Sequence, residues 1–386
     1  MSVAALPVTR EREEALISSH RSPLAVLRHL DYALVGLVVL MTGGGVLVLS
    51  GAVEGIPELA HHGAKQLAFF WPALAALILS TMIDYRWINR MAVLIYLLNI
   101  GALLFVLVGG SRINGARSWI DIGPVNWQPS ETMKIATVLV AAQWLALRPE
   151  KLNHWLGIIV PGLICGIPAV LVLAQPDLGT ASLFFMMFLA MMLMAGAPVR
   201  RLLLIIAACG LGAVSAYPML KPYQKARIMV FLNPEADPRG NGYNVIQSKV
   251  TIGNGGLTGW GWGAGTQTTH RFLPEHHTDF IFASAIEQFG FIGGALLLLG
   301  YGLILWRMQR AMDEAKDRFG GIVVAGLMAI LFSHLLLNVG MTMGLLPCTG
   351  IPLPLLSYGG SFLVSTYIIF GLVLNVASRK YTFIGL

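Results

Sequence analysis

Acidic and basic side chains lie at the start of several long apolar runs. At these positions they could accept or donate protons at a membrane surface. Glu131 and Lys134 lie three residues apart in segment 128–134 (QPSETMK), so a helix would place them on one face. Asp279 is the last polar residue of segment 273–280 (LPEHHTDF). A carboxylate beside the positive end of a helix stays ionised and could accept a proton from a substrate hydroxyl. These three residues are the first candidates for chemistry.

Each of these acidic positions also has a purely structural interpretation, which the residues alone leave open. Glu131 and Lys134 could form a local ion pair at a capped helix end. Asp177, in a tight turn of sequence QPDLGT, could simply cap the next helix. Asp279 could be a first-turn residue behind a Thr278 cap.

Three further polar features lie deeper in the apolar runs. Glu287 follows Asp279 by eight residues, about 12 Å along a helix, and a buried glutamate there must face a partner or water. Segment 352–361 (PLPLLSYGGS) is uncharged, but its prolines and glycines indicate non-helical backbone. Such backbone is tolerated at membrane depth only where it packs in protein or lines a cavity. His334, in the middle of an apolar run, is predicted to be a hydrogen-bonded packing residue.

The histidines near these carboxylates raise the question of a metal. His270, His276 and His277 lie close in sequence to Glu275 and Asp279. Their spacing matches no zinc pattern. The sequence therefore leaves the presence of a metal unknown.

The apolar runs around these residues identify the class of protein. Of the 386 residues, 56% are hydrophobic and 12% are charged, against roughly 25% charged residues in an ordinary soluble domain. The range 320–378 contains no Asp, Glu, Lys or Arg. Uncharged apolar runs of 18 residues or more indicate membrane-spanning helices. The composition excludes soluble enzymes, nucleic-acid-binding modules and disordered chains, and it predicts an all-α polytopic membrane protein.

About ten apolar segments are long enough to cross the membrane. They follow a polar tail at 1–30 and precede a short tail at 379–386, so the membrane domain is predicted at 31–378. A loop of about 60 residues, 220–278, separates the seventh and eighth segments, and loops of that length are usually functional. The predicted spans are 31–50, 66–83, 91–109, 132–147, 155–175, 178–198, 202–219, 280–306, 320–344 and 360–378.

Lysine and arginine are distributed unevenly between the two sides of these spans. With a cytoplasmic N-terminus, the cytoplasmic side holds 16 of the 26 Lys and Arg residues, and the short loops opposite hold only Lys65, Arg112 and Arg117. Positive residues accumulate on the cytoplasmic side of membrane proteins. Both termini are therefore predicted to be cytoplasmic, with the 220–278 loop and the candidate residues on the extracytoplasmic side. The net charge of +7 favours contact with anionic membrane lipids.

This arrangement suits two classes of protein. One is an enzyme that acts on a lipid-linked substrate at the outer leaflet, and the other is a transporter that delivers a substrate to that leaflet. Transporters tend to place their sites near the bilayer midplane, often between repeated halves. The concentration of candidate residues on one side favours the enzyme.

Four segments resemble the motifs of the SEDS family (shape, elongation, division, sporulation), and they occur in the family's order. The resemblance extends from about residue 30 to residue 378. Segments such as 233–238 (NPEADP) and 350–354 (GIPLP) are similar to the elongation branch of the family. The four motif segments are 128–134, 175–180, 273–283 and 357–361.

The resemblance implies a peptidoglycan glycosyltransferase that polymerises lipid II at the outer face of the bacterial cytoplasmic membrane during cell elongation. It implies a class B penicillin-binding protein as the transpeptidase partner, and no nucleic acid. Carried over by position, Asp279 would be the catalytic carboxylate. Substrate contacts are expected from Glu131, Lys134, Arg117, Glu275, Glu287, Asp177, Ser357, Tyr358 and Gly359.

One position departs from the family pattern. The family usually has arginine directly before Trp119, where this chain has Ser118. Either Arg117 acts from the neighbouring position or the role is not needed.

The mechanism that we expect is an inverting displacement. Asp279 accepts the proton of the acceptor's GlcNAc 4-hydroxyl as this hydroxyl attacks C1 of the donor's MurNAc. The leaving undecaprenyl diphosphate gains negative charge, which Lys134, Arg117 or a divalent cation such as Mg²⁺ or Mn²⁺ would stabilise. The sequence does not exclude a lipid II flippase, or a scaffold that activates the penicillin-binding protein.

Overall fold

The computed structural model describes residues 29–113, 116–123, 125–219, 222–238, 240 and 242–379. The predicted tails therefore lie almost entirely outside the described residues. In chain order the helices are α1 (Tyr32–Ala52), α2 (His62–Met82), α3 (Tyr85–Gly109), α4 (Pro129–Leu147), α5 (Leu156–Ala174), α6 (Leu178–Met194), α7 (Val199–Ala216), α8 (Pro222–Leu232), α9 (Tyr243–Asn254), α10 (Thr266–Thr269), α11 (Ile281–Asp313), α12 (Arg318–Thr342) and α13 (Gly360–Ser378). Short 3₁₀ turns occur at Pro149–Asn153, Tyr217–Met219 and Pro234–Ala236.

Each predicted span is a helix, namely α1 to α7 and α11 to α13. By length and composition, seven of the described helices could cross a membrane: α1, α2, α3, α5, α11, α12 and α13. Helix α6 is apolar but shorter, with 17 residues. The prediction of an all-α polytopic membrane protein is confirmed.

A small sheet, which the sequence did not predict, occupies the connection between α3 and α4. Its strands are β1 (Ser111–Ile113), β2 (Ala116–Ile122) and β3 (Val125–Trp127), paired antiparallel in the order β1-β2-β3. At most seven residues long, they are too short for a clear alternating pattern. The amide of Gln128 donates to Ser361 Oγ at 3.3 Å. The end of the sheet is thereby joined to the start of α13.

Helices α12 and α13 form the centre of the bundle. Of their apolar spans, 67% and 72% of the residues are buried, against 22% for α2 and 28% for α3. Helix α13 packs along α2, and α12 packs against α4, α6 and α11. Polar side chains on α12 are therefore surrounded by other helices and need partners inside the protein.

The long loop between α7 and α11 contains α8 to α10 and is docked on a break in α11. Gly290 interrupts α11 with a φ of +67°, which leaves nearby backbone groups without helical partners. Segment 256–261 supplies those partners through four backbone hydrogen bonds of 2.9–3.1 Å. They are Trp260 N to Glu287 O, Gly261 N to Gln288 O, Phe291 N to Gly256 O and Ile292 N to Leu257 O.

We predict that Gly290→Ala releases this loop from α11. A Cβ at Gly290 would lie 2.4 Å from the backbone of Leu257, and its positive φ adds strain to any other residue. We expect a loss of about 1–3 kcal/mol in stability and faster proteolysis within 255–270, measured in detergent. Gly302→Ala is the matched control, because it lies in the same helix with nothing within 4 Å. Equal protection of the loop in both variants would contradict the docking.

Candidate active site

A buried charge cluster joins α4 to α12. Lys134 is 1% exposed, and its Nζ lies 2.9 Å from both carboxylate oxygens of Glu131 and 2.8 Å from His334 Nε2. The predicted ion pair between i and i+3 is therefore present, with a third member from a distant helix. A lysine ammonium only donates hydrogen bonds, so Nε2 accepts and the proton of neutral His334 is on Nδ1. That Nδ1 donates to Pro352 O at 3.0 Å.

Helix α12 binds the non-helical segment before α13 with a second side chain. Asn338, one turn from His334, donates from Nδ2 to Ile351 O at 2.7 Å and to Asp279 O at 2.8 Å. His334 is the buried, hydrogen-bonded residue that was predicted, but the prediction did not identify its partners. The signal that could have done so is the i,i+4 spacing of two polar residues on an apolar helix.

Asp279 lies just before α11, at the positive end of that helix. The helix begins at Ile281, and Phe280 occupies the cap position without a side-chain hydrogen bond. Thr278 donates its hydroxyl to Glu275 Oε2 at 3.0 Å instead. The interpretation of Thr278 as the helix cap is therefore wrong, because the amides of Thr278 and Phe280 both turn back to Glu275 O and delay the helix.

The backbone of a glycine, Gly350, lies next to the Asp279 carboxylate. A Cβ at Gly350, which has a φ of +70°, would lie 3.2 Å from Asp279 Oδ2. On the other side of the same segment, a Cβ at Gly179 would lie 2.8 Å from Thr349 O. The turn of Asp177 thus adjoins the 349–351 segment, and that segment adjoins Asp279. Asp177 caps α6, accepting from the Thr180 amide at 2.9 Å.

The turn before α13 is bound to the two residues before Asp279. Ser357 donates its hydroxyl to Thr278 O at 2.6 Å, and the Tyr358 amide donates to His277 O at 3.1 Å. Ser357 Oγ also accepts from Leu353 N at 2.7 Å, which closes the turn. These contacts place Ser357 and Tyr358 beside the candidate carboxylate.

Gln66, on α2, fixes the same turn from the opposite side. Its Nε2 donates to Ser357 O at 3.1 Å, and its Oε1 accepts from the Gly359 amide at 3.1 Å. Gln66 is 1% exposed, so both ends of its amide are used within the protein. The sequence reasoning missed it, since one polar residue in an apolar run carries no partner information.

Three rings cover the surface next to this turn. The ring centroid of His62 lies 4.2 Å from that of Tyr358 and 5.4 Å from that of His277. Burial, together with the smaller effects of the charges of His276 and His62, lowers the pKa of His277 from 6.5 to about 4. His277 is therefore neutral at physiological pH.

Of three other predicted site residues, two form hydrogen bonds with other parts of the chain and one is exposed. Glu287 is fully buried and accepts the amides of Gln267 at 2.7 Å and Thr268 at 3.2 Å, at the start of α10. Arg117, on β2, donates from Nη1 to Val108 O at 3.1 Å. Glu275 is exposed. Their contacts with a substrate stay predictions.

The described residues do not form a metal site of their own. Within the described ranges, no group of three or more His, Cys, Asp and Glu side chains is arranged to hold a metal ion.

Comparisons with known proteins cover nearly the whole chain. Residues 25–382 match the FtsW/RodA/SpoVE family of cell cycle proteins. The chain is 35% identical to the peptidoglycan glycosyltransferase MrdB of Escherichia coli (strain K12), over 91% of this chain and 94% of that protein. It superposes with a TM-score of 0.81 and 31% identity on a chain from a peptidoglycan synthase complex solved to show how polymerization and crosslinking are coordinated. That match covers 91% of this chain and 98% of the other.

A crystal structure gives a second similarity. The rod shape determining protein RodA of Thermus thermophilus matches with a TM-score of 0.68 and 28% identity, over 91% of this chain and 98% of that one. The order of the helices and the placement of the long loop thus belong to a known architecture.

We predict that the buried cluster behaves as one energetic unit. Glu131→Gln should cost about 3–5 kcal/mol of stability, because it leaves the Lys134 ammonium buried without its counter-charge. The double variant Glu131→Leu with Lys134→Met should lose less, since no uncompensated charge remains. Thermal unfolding in detergent measures both. A double variant that loses as much stability as Glu131→Gln, or more, would contradict the coupling.

We predict acid sensitivity from His277. Between pH 6.5 and about 4 the unfolded chain binds a proton at His277 that the folded protein does not. Stability should therefore fall by up to about 2–3 kcal/mol as the pH drops through this window, and should not change above it. In His277→Gln, the difference between the melting temperatures at pH 7 and pH 4.5 should be smaller than in the wild-type protein. His154→Gln, at an exposed position, is the control. An undiminished acid-dependent loss in His277→Gln would argue against this origin.

Proposed function

Since the chain belongs to the FtsW/RodA/SpoVE family, we propose that it is a peptidoglycan glycosyltransferase that polymerises lipid II. The observation that carries this proposal is the position of Asp279. Its carboxylate lies at the positive end of α11, beside glycine backbone, and its main chain is held by Asn338. A carboxylate fixed at the positive end of a helix can serve as a general base.

The proposed reaction is a single displacement. The 4-hydroxyl of the acceptor's GlcNAc forms a bond to C1 of the donor's MurNAc, while the bond between C1 and the diphosphate oxygen breaks. The electron pair of that bond leaves with undecaprenyl diphosphate, and the hydroxyl proton moves to Asp279. Water then takes the proton from Asp279 and returns it to the ionised state.

The buried cluster positions this base. Lys134 is committed to Glu131 and His334, and His334 holds the carbonyl of Pro352. Pro352 follows Ile351, whose carbonyl is bound by the same Asn338 that binds Asp279. Lys134 and Glu131 therefore act through the backbone of this segment, and the substrate contact expected from the sequence is not needed for their effect.

The setting of the reaction forms part of the same proposal. The distribution of Lys and Arg supports an extracytoplasmic active site in the bacterial cytoplasmic membrane, with both termini cytoplasmic. The likeness to a chain of a peptidoglycan synthase complex supports a class B penicillin-binding protein as the partner. The elongation-type motifs support a role in cell elongation.

We predict that Asp279→Asn lowers polymerisation by about 100- to 10,000-fold, the usual contribution of a general base. The assay combines the purified protein, its partner and lipid II in detergent, and it measures glycan chain formation. Asp313→Asn, at the exposed far end of the same helix, is the matched control. Because detergent has no two leaflets, polymerisation there also separates an enzyme from a flippase. Wild-type rates in a folded Asp279→Asn protein would exclude the proposed role.

A further inference from the structure

A cavity of about 210 Å³ lies between the long loop and the turn that follows α12. Helices α8 and α9 form one wall, and residues 344–348 form the other. Most of the lining side chains are apolar, and two polar side chains reach the cavity from α9. The residues that define it include Val230, Phe231, Asn244, Lys249, Leu346 and Cys348.

Among the described residues, Lys249 is the one charged side chain in this lining. It lies directly across Gly344, where a Cβ would be 2.1 Å from Lys249 Cε and 2.7 Å from its Nζ. Its helix is fixed in place, because the buried hydroxyl of the preceding Ser248 donates to Thr342 O at 2.8 Å. Lys249 itself is exposed, so its positive charge is accessible to a substrate in this cavity.

Segment 348–350 connects the cavity wall to the backbone next to Asp279. Cys348 lines the cavity and packs against the cluster that contains Phe280, the residue after Asp279. Gly350, two residues further, contacts the Asp279 carboxylate. Two residues of chain span at most about 8 Å. Cys348 in the cavity wall is therefore close along the chain to the backbone that lies next to the proposed base.

The proposed reaction needs a cation at the leaving group. In an inverting displacement, base and leaving group lie on opposite faces of the sugar, and the two catalytic groups of inverting glycosidases are roughly 6.5–9.5 Å apart. The sequence offered Lys134 and Arg117 for the leaving group. In the structure Lys134 is 1% exposed and bound by Glu131, and Arg117 donates to Val108 O. Lys249 is a further cation, and its side chain lines the cavity.

We propose that Lys249 binds the diphosphate of the donor and stabilises it as the leaving group. This inference rests on the proposed glycosyltransferase function. As the bond between C1 and the diphosphate oxygen breaks, the electron pair moves onto that oxygen, and the Lys249 ammonium donates hydrogen bonds to the charge that develops. No proton leaves the lysine. The apolar part of the lining faces the sugar or the first carbons of the lipid.

The test compares three variants of the full chain with its partner. Lys249→Met, which keeps the length of the side chain without its charge, should lower kcat about 100-fold, the effect of losing one donor to a developing anion. Lys249→Arg should keep most of the activity, because it keeps the charge. Lys225→Met is the control, since Lys225 lies in the same loop but donates to Pro218 O and does not line the cavity.

A binding measurement separates this role from a structural one. Inorganic pyrophosphate should inhibit the wild-type enzyme and bind to it in calorimetry, and both effects should be lost in Lys249→Met and in a second neutral variant, Lys249→Gln. Melting temperatures identify the variants that are folded. Full activity or unchanged pyrophosphate binding in a folded neutral variant would overturn the proposal. If wild-type protein makes no glycan in the same assay, the proposed function fails, and pyrophosphate binding still decides the assignment of Lys249.

Discussion

The ammonium of Lys134 sets the strongest constraint on this fold. A charge inside a helix bundle is tolerated only with a counter-charge and full hydrogen bonding. Glu131, one turn earlier on α4, supplies the charge, and His334 on α12 supplies an acceptor. Since His334 also holds Pro352, the requirement of one buried amine fixes α4, α12 and the segment before α13 relative to one another.

The proposed active site is built outward from that fixed core. Asn338 extends the contact from Ile351 to the main chain of Asp279, and Gly350 brings bare backbone against its carboxylate. The turn of Ser357 and Tyr358 holds the residues just before Asp279. Glu287 has a different task, because its buried carboxylate binds the amides at the start of α10 and so fixes the long loop. The base is thus oriented by backbone contacts from distant parts of the chain.

The sequence predicted the spans well because each one is an independent apolar run, and a run needs no knowledge of its neighbours. It predicted the i,i+3 pair of Glu131 and Lys134 for the same local reason. It did not predict the sheet of β1 to β3, whose strands are too short for a pattern, or the late start of α11. It also missed the contact of Lys134 with His334, two residues 200 positions apart. Partners of that kind are determined by packing, which spacing does not encode.

We propose that Asp279 receives the proton of the acceptor sugar. The most direct test of this role is a structure of the complex with lipid II bound. We expect the acceptor's 4-hydroxyl to lie within hydrogen-bonding distance of the Asp279 carboxylate, about 2.6–3.2 Å. We also expect the donor's C1 to lie next to that hydroxyl, on the side that faces away from Asp279. Sugar headgroups bound near the middle of the helix bundle, away from Asp279, would contradict this role of Asp279.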